Sequence, residues 1–299
     1  MHKEGVGVVL ITTLKFIMNL FDETRLIMKK YNISANKKLG QNFLIDESVV
    51  DGIVENSNIG ENDLVIEIGP GLGTLTSKLA EKAKKVICIE LDSKMVNLLK
   101  DRFIAYKNIE IINDDCLKVD INSLILKGKE EGCKSAKVVA NLPYYITTPI
   151  IMKLLEERLN IESITVMIQK EVAHRLADTP GGKESGSITY TIWYYSEPEI
   201  LFDVPNSSFI PEPEVTSTVI KFNILEKPRI EVNDEEKFFK VIKASFMQKR
   251  KTLVNSLVNG GVISSKEEAE KILTSIGLDT KIRGEKLSLE DFKNLSEKI

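Results

Sequence analysis

Short apolar runs alternate with amphipathic stretches through the middle of the chain. This alternation is typical of strands that are connected by helices around a mostly parallel sheet. The apolar runs predict strands at residues 64–68, 86–89, 109–112, 137–140 and 163–168. Apolar residues at helical spacing predict helices between them, at residues 75–82, 93–103 and 149–158. We therefore expect an α/β protein built around one mostly parallel sheet.

Two further runs rich in β-forming residues, 188–204 and 215–222, follow this region. The prolines between them, Pro205, Pro211 and Pro213, exclude a helix across the connection, because proline lacks a backbone N–H and clashes with the preceding turn. An antiparallel hairpin that closes the sheet fits this pattern. It brings the expected sheet to seven strands.

The pattern changes after residue 227 to helices rich in lysine and glutamate, which start near Asp234 and continue to the end of the chain. We predict a larger domain at residues 18–227 and a smaller all-α domain at residues 228–299.

Residues 1–17 are interpreted as an accessory extension and a candidate for disorder, with Met18 as an alternative initiator. The apolar run at residues 6–14 is too short to span a bilayer. No alanine precedes Ala35, so the alanine-containing cleavage site typical of a signal peptide is missing. We expect no membrane association, and the intact mass of the natively expressed protein would identify the initiator.

Composition narrows the class of protein. With 299 residues, 42% of them hydrophobic, the chain can bury a substantial core, which excludes disorder of the whole chain. The three cysteines lack the paired spacing of a zinc site or a disulfide framework, so we expect a cytoplasmic protein. With only two histidines, chemistry based on histidine has few residues to use, and we expect no metal.

Charge is distributed unevenly, although the net charge is only −3. Two windows, residues 24–45 and 240–260, contain lysine and arginine but no acid. Such windows could bind phosphates, but solvated lysine-rich faces are also common. The second window contains Lys249, Arg250 and Lys251, which are candidates for binding the phosphates of a nucleic acid.

A glycine-rich turn lies between the first predicted strand and the first predicted helix, with glycines at positions 69, 71 and 73 followed by Thr74. Glycine lets a ligand approach the backbone, and the helix N-terminus offers free N–H groups. Dinucleotide-binding folds also use such turns, but this spacing is not G-x-G-x-x-G. A purely structural turn is the alternative.

Acidic residues follow the next two predicted strands. Glu90 can accept both hydroxyl hydrogens of a ribose, and Asp115 can accept from an adenine amino group. Either acid alone could equally be a solvated surface residue. Together with Gly69 and Gly71, the two acids indicate a nucleoside cradle at three consecutive strand ends.

The sequence Asn141-Leu142-Pro143-Tyr144 follows the fourth predicted strand and resembles the Asn/Asp-Pro-Pro-Tyr motif of amino-methyltransferases. The amine of adenine is a poor nucleophile, because its lone pair is delocalised into the ring. The Asn141 side-chain oxygen and the Leu142 carbonyl could bind both amine hydrogens and favour a pyramidal nitrogen. Pro143 would shape the turn and Tyr144 would offer a stacking face. A structural turn is again the alternative.

Four separated motifs resemble the KsgA family of small-subunit ribosomal RNA adenine dimethyltransferases. They lie at residues 38–46 (KLGQNFLID), 67–74 (EIGPGLGT), 141–149 (NLPYYITTP) and 245–253 (SFMQKRKTL). The resemblance implies a Rossmann-like methyltransferase fold with a C-terminal helical domain that binds RNA. It also implies S-adenosylmethionine as cofactor, which needs no metal because its sulfonium already makes the methyl group electrophilic.

Residue roles follow from the same resemblance. The segment with Asn42 and Leu44 is expected to fold over the cofactor, and Phe209 to lie over an adenine extruded from its stack. By itself, an apolar loop phenylalanine is more often part of a core. The family pattern implies that Gly69, Glu90, Asp115 and Asn141 bind the cofactor, and Gly71 of the glycine-rich turn is a further candidate.

The family dimethylates the N6 amines of two adjacent adenines in the 3′-terminal hairpin of 16S ribosomal RNA during small-subunit assembly. We therefore expect a monomeric enzyme that acts on the immature 30S subunit. Asp114 and Cys116 depart from the family pattern, which weakens the adenine-side assignment relative to Glu90. Tyr145 could also compete with Tyr144 for the stacking role.

Three other functions fit parts of the pattern. The 23S ribosomal RNA adenine methyltransferases of the macrolide-resistance type share fold, cofactor and chemistry, but residues 40–44 (GQNFL) and 147–149 (TTP) favour KsgA. A non-catalytic ribosome assembly factor could retain the fold, although the intact Asn141 and Tyr144 favour activity. A dinucleotide oxidoreductase would lack a plausible acid for hydride transfer.

Overall fold

The computed structural model describes residues 18–36, 40–248 and 250–299. The accessory extension, Lys38 of the first motif and the candidate RNA-binding Lys249 lie outside the described residues. The strands are β1 (Phe43–Leu44), β2 (Asp63–Ile68), β3 (Lys85–Glu90), β4 (Ile109–Asn113), β5 (Ser135–Asn141), β6 (Ser163–Gln169), β7 (Ser196–Val204), β8 (Phe209–Ile210) and β9 (Ser217–Ile224). The helices are α1 (Leu20–Lys30), α2 (Glu47–Asn56), α3 (Thr74–Lys82), α4 (Ser93–Arg102), α5 (Ile121–Glu130), α6 (Thr147–Glu156), α7 (Lys170–Ala177), α8 (Ser187–Tyr195), α9 (Glu235–Phe246), α10 (Leu253–Asn259), α11 (Lys266–Ser275) and α12 (Leu289–Lys298).

Seven strands form one sheet in the order β4-β3-β2-β5-β6-β9-β7. The first five in this order are parallel, whereas β9 runs antiparallel to both of its neighbours. This confirms the prediction of a mostly parallel seven-stranded sheet that an antiparallel hairpin closes. The strand order reverses between β2 and β5, and in open α/β sheets ligands bind beyond the carboxyl ends of the strands at such a point.

Alternation along the strands explains how both faces of the sheet are covered. In β2, Leu64 and Ile66 point to one apolar cluster, which also contains residues of α5, α6 and α8. Val65 points to the opposite cluster, which contains residues of α2 and α3. Because the central strands β2, β3, β5 and β6 are buried on both faces, they read as continuous apolar runs, which is why they could be located from the sequence.

One predicted element is wrong. Residues 187–195 form α8, although we expected residues 188–204 to be extended throughout. Most of this helix is buried on all sides, including Tyr190, Ile192 and Tyr194. A helix without a polar face shows no amphipathic period, and its β-branched and aromatic residues imitate a strand.

The C-terminal helices pack on the α/β part through aromatic contacts of α8. The ring of Tyr190 lies 4.9 Å from that of Phe292, and the ring of Tyr194 lies 5.4 Å from that of Phe238. A helical C-terminal region was expected, and α9 begins at Glu235, where Asp234 caps its first turn by accepting from the backbone N–H of Lys237. The domain boundary at residue 227 stays a prediction.

Candidate active site

One cavity lies at the carboxyl ends of β2, β3, β4 and β5, with about 1120 Å³ of empty space including its open mouth. Its lining extends from the glycine turn to the turn that follows β5, so a cofactor and an acceptor base could lie next to each other there. All eleven residues predicted to bind the cofactor or the acceptor line this cavity: Asn42, Leu44, Gly69, Gly71, Glu90, Asp115, Asn141, Leu142, Pro143, Tyr144 and Phe209. The structure therefore brings these residues together, while the role of each one stays a prediction.

The glycine turn leaves its backbone accessible from the cavity. Gly69 has a φ of +67°, which favours glycine, and a Cβ added there would meet no described atom within 4 Å. Helix α3 follows at Thr74, and no side chain caps its first turn. Free N–H groups at the start of a helix favour a negatively charged or polar ligand group.

Glycine is required at position 73 for packing, because this side of the turn lies against α4. Its φ is +82°, and a Cβ there would lie 2.5 Å from the ring of Phe103. The turn is therefore pressed against the end of α4. A larger residue at position 73 would displace the turn from this surface.

Glu90 connects the end of β3 to the glycine turn. Its Oε1 accepts from the backbone N–H of Asp92 at 2.8 Å, and its Oε2 accepts from that of Gly71 at 3.3 Å. The side chain is buried, which raises the pKa of its carboxyl. Each carboxylate oxygen can accept a further hydrogen bond, so Glu90 can still bind the two hydroxyl groups of a ribose.

The carboxylate of Asp115 contacts residues that follow it closely in the chain. Its Oδ1 accepts from the backbone N–H of Leu117 at 3.0 Å, and its Oδ2 lies 3.8 Å from the Nζ of Lys118. One oxygen thus stabilises the local turn and the other faces a lysine. Its predicted contact to adenine rests on its position at the cavity alone.

Glu67 was missed by the sequence analysis. It is the last but one residue of β2, lines the cavity and is almost fully buried. The hydroxyl of Thr76 donates to its Oε2 at 2.6 Å, but burial dominates and raises the pKa of Glu67 to about 7. An ionisable residue inside an otherwise apolar strand beside the glycine turn was the available signal.

Asn141 ends β5 with its amide held in one orientation. Its Nδ2 donates to the carbonyl of Asn42 at 3.4 Å. Because that partner can only accept, Oδ1 is the amide atom that remains to accept from a ligand. The contact also joins the acceptor turn to the segment that was expected to fold over the cofactor.

The remaining residues of the acceptor turn are held by the surrounding backbone. The N–H of Leu142 donates to the carbonyl of Met167 at 3.1 Å, and the Leu142 side chain is buried in the core. The carbonyl of Pro143 accepts from the hydroxyl of Thr147 at 3.1 Å, at the start of α6. These contacts fix the turn from behind and leave its cavity side for a substrate.

Tyr144, rather than Tyr145, is anchored at the cavity. The hydroxyl groups of Tyr144 and Ser217 are hydrogen-bonded at 2.8 Å, and burial raises the pKa of Tyr144. Tyr145 is 57% exposed and lies at the rim, against Gly40. A fixed ring presents a stacking face at a lower entropic cost than a mobile one, which favours Tyr144 for this role.

Phe209 is 2% exposed and forms one wall of the cavity. It lies in β8, which pairs antiparallel with β1 so that Leu44 faces Phe209 and Phe43 faces Ile210. A further hydrogen bond, from the N–H of Ile45 to the carbonyl of Ser208 at 2.9 Å, extends this pairing. The two segments expected to cover the cofactor and the base therefore form one structural unit.

The candidate RNA-binding residues lie elsewhere. Arg250 and Lys251 are exposed in the connection between α9 and α10, and neither takes part in an ion pair with another described residue. Within the described residues, no group of three or more His, Cys, Asp and Glu side chains could hold a metal ion. In the same part of the chain, no helix has the length and apolar character needed to cross a membrane.

The polar and charged groups that line the cavity fit S-adenosylmethionine. This cofactor carries ribose hydroxyl groups, which match the acceptors of Glu90, and an amino acid part with both charges. The open N-terminus of α3 can accommodate its carboxylate, and the buried acids Glu67 and Glu90 can balance its positive charges.

Comparisons with known proteins point to one family. The family model for ribosomal RNA adenine dimethylase matches residues 32–299. Ribosomal RNA small subunit methyltransferase A of Clostridium acetobutylicum is 49% identical over 276 residues, which is 92% of this chain and 98% of that protein.

Two solved structures are similar in fold. A dimethyladenosine transferase from Plasmodium falciparum superimposes with a TM-score of 0.71 at 27% identity, over 85% of this chain and 95% of that one. The 23S rRNA methyltransferase ErmE superimposes with a TM-score of 0.64 at 25% identity, over 86% and 99% of the two chains.

These matches confirm the predicted Rossmann-like methyltransferase fold and the predicted S-adenosylmethionine-dependent methyltransferase class. The family match spans the glycine turn, the acceptor turn and the C-terminal helices. The chain is thus a member of the ribosomal RNA adenine dimethylase family.

Proposed function

We propose that this protein dimethylates the N6 amines of two adjacent adenines in the 3′-terminal hairpin of 16S ribosomal RNA, using S-adenosylmethionine, during assembly of the small ribosomal subunit. The observation that carries this proposal is the placement of Asn141 and Tyr144 in the same cavity as the glycine turn and Glu90. The name and the 49% identity of the Clostridium relative support the small-subunit substrate.

The bound cofactor supplies an electrophilic methyl group on a sulfonium. The protein holds the acceptor: the Oδ1 of Asn141 and the carbonyl of Leu142 accept the two hydrogens of the adenine amine. This favours a pyramidal nitrogen whose lone pair is free to react, and it places donor and acceptor in one site. Tyr144 and Phe209 enclose the base, which must leave its stack to enter the cavity.

The 23S ribosomal RNA is the main alternative substrate, since ErmE has a similar fold. Purified immature 30S particles and deproteinised 23S RNA should be offered to the enzyme in parallel. We expect N6,N6-dimethyladenine in the 16S 3′-terminal hairpin by mass spectrometry and no modification of the 23S RNA. Modification of 23S RNA alone would assign the protein to the resistance type, and modification of neither would favour a non-catalytic assembly factor.

The RNA is proposed to contact the exposed connection between α9 and α10. Neutralising Lys249, Arg250 and Lys251 together should weaken binding of the particle. It should also lower the slope of log K against log salt by about 0.9 for each phosphate that these residues neutralise in the unmodified protein. Binding should be measured between about 50 and about 200 mM salt.

A matched variant controls for the loss of charge. Lys82, Lys129 and Lys134 are three exposed lysines near the amino ends of β3 and β5, at the edge of the sheet opposite to the cavity. Neutralising them should leave the salt slope unchanged. An equal slope in both triple variants would show that the connection between α9 and α10 does not contact RNA.

Cofactor affinity is expected to depend on pH through Glu67. Its pKa is raised to about 7 in the folded protein, so the proton is lost as the pH rises through that value. A positively charged cofactor favours the ionised carboxylate, and its affinity should therefore increase between about pH 6 and about pH 8.

Glu67→Gln keeps the shape of the side chain and removes the titration. Calorimetry with the two proteins across this pH range should show a weaker pH dependence in the variant. An identical pH profile would mean that Glu67 does not respond to the cofactor.

The same pKa also predicts that the free protein loses stability as the pH rises from about 4.5 to about 7, because the folded state binds the proton more tightly than the unfolded state.

The oligomeric state, the location and the domain boundaries are proposed on the same basis. We propose that the enzyme acts as a monomer in the cytoplasm, on the immature 30S particle. Residues 18–227 would form the methyltransferase domain and residues 228–299 the RNA-binding domain.

A further inference from the structure

Helix α1 lies outside the part of the chain that the family model matches, which begins at residue 32. We propose that α1 acts as a brace for the glycine turn, and that Glu23 and Arg102 are positioning residues that set the affinity for the cofactor. This inference rests on the proposed cofactor site, but it concerns a helix that the function itself did not require.

A single guanidinium joins the helix to the turn. One nitrogen of Arg102 donates to the carbonyl of Leu72 at 2.8 Å, and another forms an ion pair with the Oε1 of Glu23 at 2.6 Å. Leu72 lies between Gly71 and Gly73 and lines the cavity. Because the guanidinium is planar and rigid, the position of α1 constrains the position of the turn.

The link is shielded from water. The side chain of Arg102 is only 13% exposed, and that of Glu23 is 26% exposed. Burial lowers the pKa of Arg102, and the charge of Glu23 counteracts this shift. A partly buried, charge-assisted pair is screened less by solvent and salt than an exposed pair.

An apolar layer reinforces the same connection. Leu72 and Phe43, which both line the cavity, belong to one buried cluster with Leu99 and Phe103 of the α4 region. Ile27 and Met28 of α1 pack against this cluster from outside. The glycine turn is thus held between the cavity on one side and α4 covered by α1 on the other.

A second contact between α1 and α4 offers a control, because it does not touch the turn. Lys30 and the hydroxyl of Tyr31 both contact the carboxylate of Asp101, which is exposed. Asp101→Asn weakens the attachment of α1 while the hydrogen bond from Arg102 to Leu72 remains. If α1 contributes only to general stability, the Asp101 and Arg102 variants should behave alike.

The test uses the full-length protein and S-adenosylhomocysteine as the calorimetric probe. Arg102→Lys keeps the charge but cannot reach both partners, so its Kd should rise about tenfold, which is the loss of about one hydrogen bond of a charged group. Glu23→Gln keeps the shape and serves if Arg102→Lys fails to fold; its Kd should rise about threefold. The Kd of Asp101→Asn should stay within about twofold of the unmodified protein.

Kinetics separate positioning from loss of fold. In both positioning variants, KM for S-adenosylmethionine should rise while kcat at saturating cofactor is kept, because the acceptor turn is unchanged. A lower melting temperature with an unchanged Kd would overturn the brace, and so would equal increases in Kd for Asp101→Asn and Arg102→Lys. Failure of the unmodified protein to bind the probe would instead refute the proposed function and the brace with it.

Discussion

Replacing Asn141 with alanine should slow methyl transfer by about 10²- to 10³-fold, the usual loss when one oriented polar group is removed from a reacting centre. The variant loses the Oδ1 that accepts from the adenine amine, so the nitrogen lone pair stays delocalised into the ring. Cofactor binding should stay measurable, because Glu90 and the glycine turn lie on other strands. Single-turnover kinetics on immature 30S particles measure the transfer step, and calorimetry measures the cofactor Kd.

Two further variants test whether the loss of activity is specific to the Asn141 side chain. Asn141→Asp keeps acceptor oxygens but cannot donate to the carbonyl of Asn42, so transfer should fall between that of the alanine variant and that of the unmodified protein. Asn122→Ala changes an exposed asparagine of α5 and should leave both measurements unchanged. A normal single-turnover rate in Asn141→Ala would remove this side chain from the mechanism.

The layout of the site could be predicted because it follows from strand ends. The carboxyl ends of parallel strands meet at one edge of a sheet, so residues at the ends of β2, β3 and β5 must lie close together once the strands are located. Strands β2, β3 and β5 were readable because they are buried on both faces and bounded by glycine, asparagine or charged residues. Gly69, Glu90 and Asn141 were found in this way.

The properties of individual groups could not be read from spacing. The pKa of Glu67 depends on complete burial and on the nearby Glu90, which only the folded arrangement specifies. The pairing of Leu44 with Phe209 joins segments 165 positions apart and leaves no local signal of its own. Helix α8 was misread because the C-terminal helices cover its remaining face, so its burial comes from tertiary contacts.

The brace formed by α1 is a further feature that could not be predicted from the spacing of residues. The basic residues around α1 were noticed as a window that could contact phosphates, but Arg102 and Glu23 were not singled out. These two residues form an ion pair although they lie 79 positions apart in the chain. Arg102 also donates to the backbone carbonyl of Leu72, a group that every residue carries. Backbone contacts of this kind are invisible to motif analysis.

Replacing Glu90 with alanine should weaken cofactor binding at least about 100-fold, because two hydrogen bonds to a charged acceptor are removed. The free protein shows how the carboxylate is prepared for this role: it is buried, and it already accepts from the backbone N–H groups of Asp92 and Gly71. Its removal also releases one hydrogen bond that fixes the glycine turn.

Glu90→Gln distinguishes charge from shape. The glutamine oxygen can replace only one carboxylate oxygen, and its amide N–H group must face a backbone N–H of Asp92 or Gly71, which is unfavourable. Its Kd should therefore rise about tenfold, between the values of the unmodified protein and the alanine variant. Glu61→Gln, at an exposed position before β2, is the matched control and should bind normally. At saturating cofactor, Glu90→Gln should keep most of its kcat, since the described hydrogen bonds of the Glu90 carboxylate go to Asp92 and Gly71, outside the acceptor turn. A Kd for Glu90→Gln equal to that of the control would show that the ribose binds elsewhere.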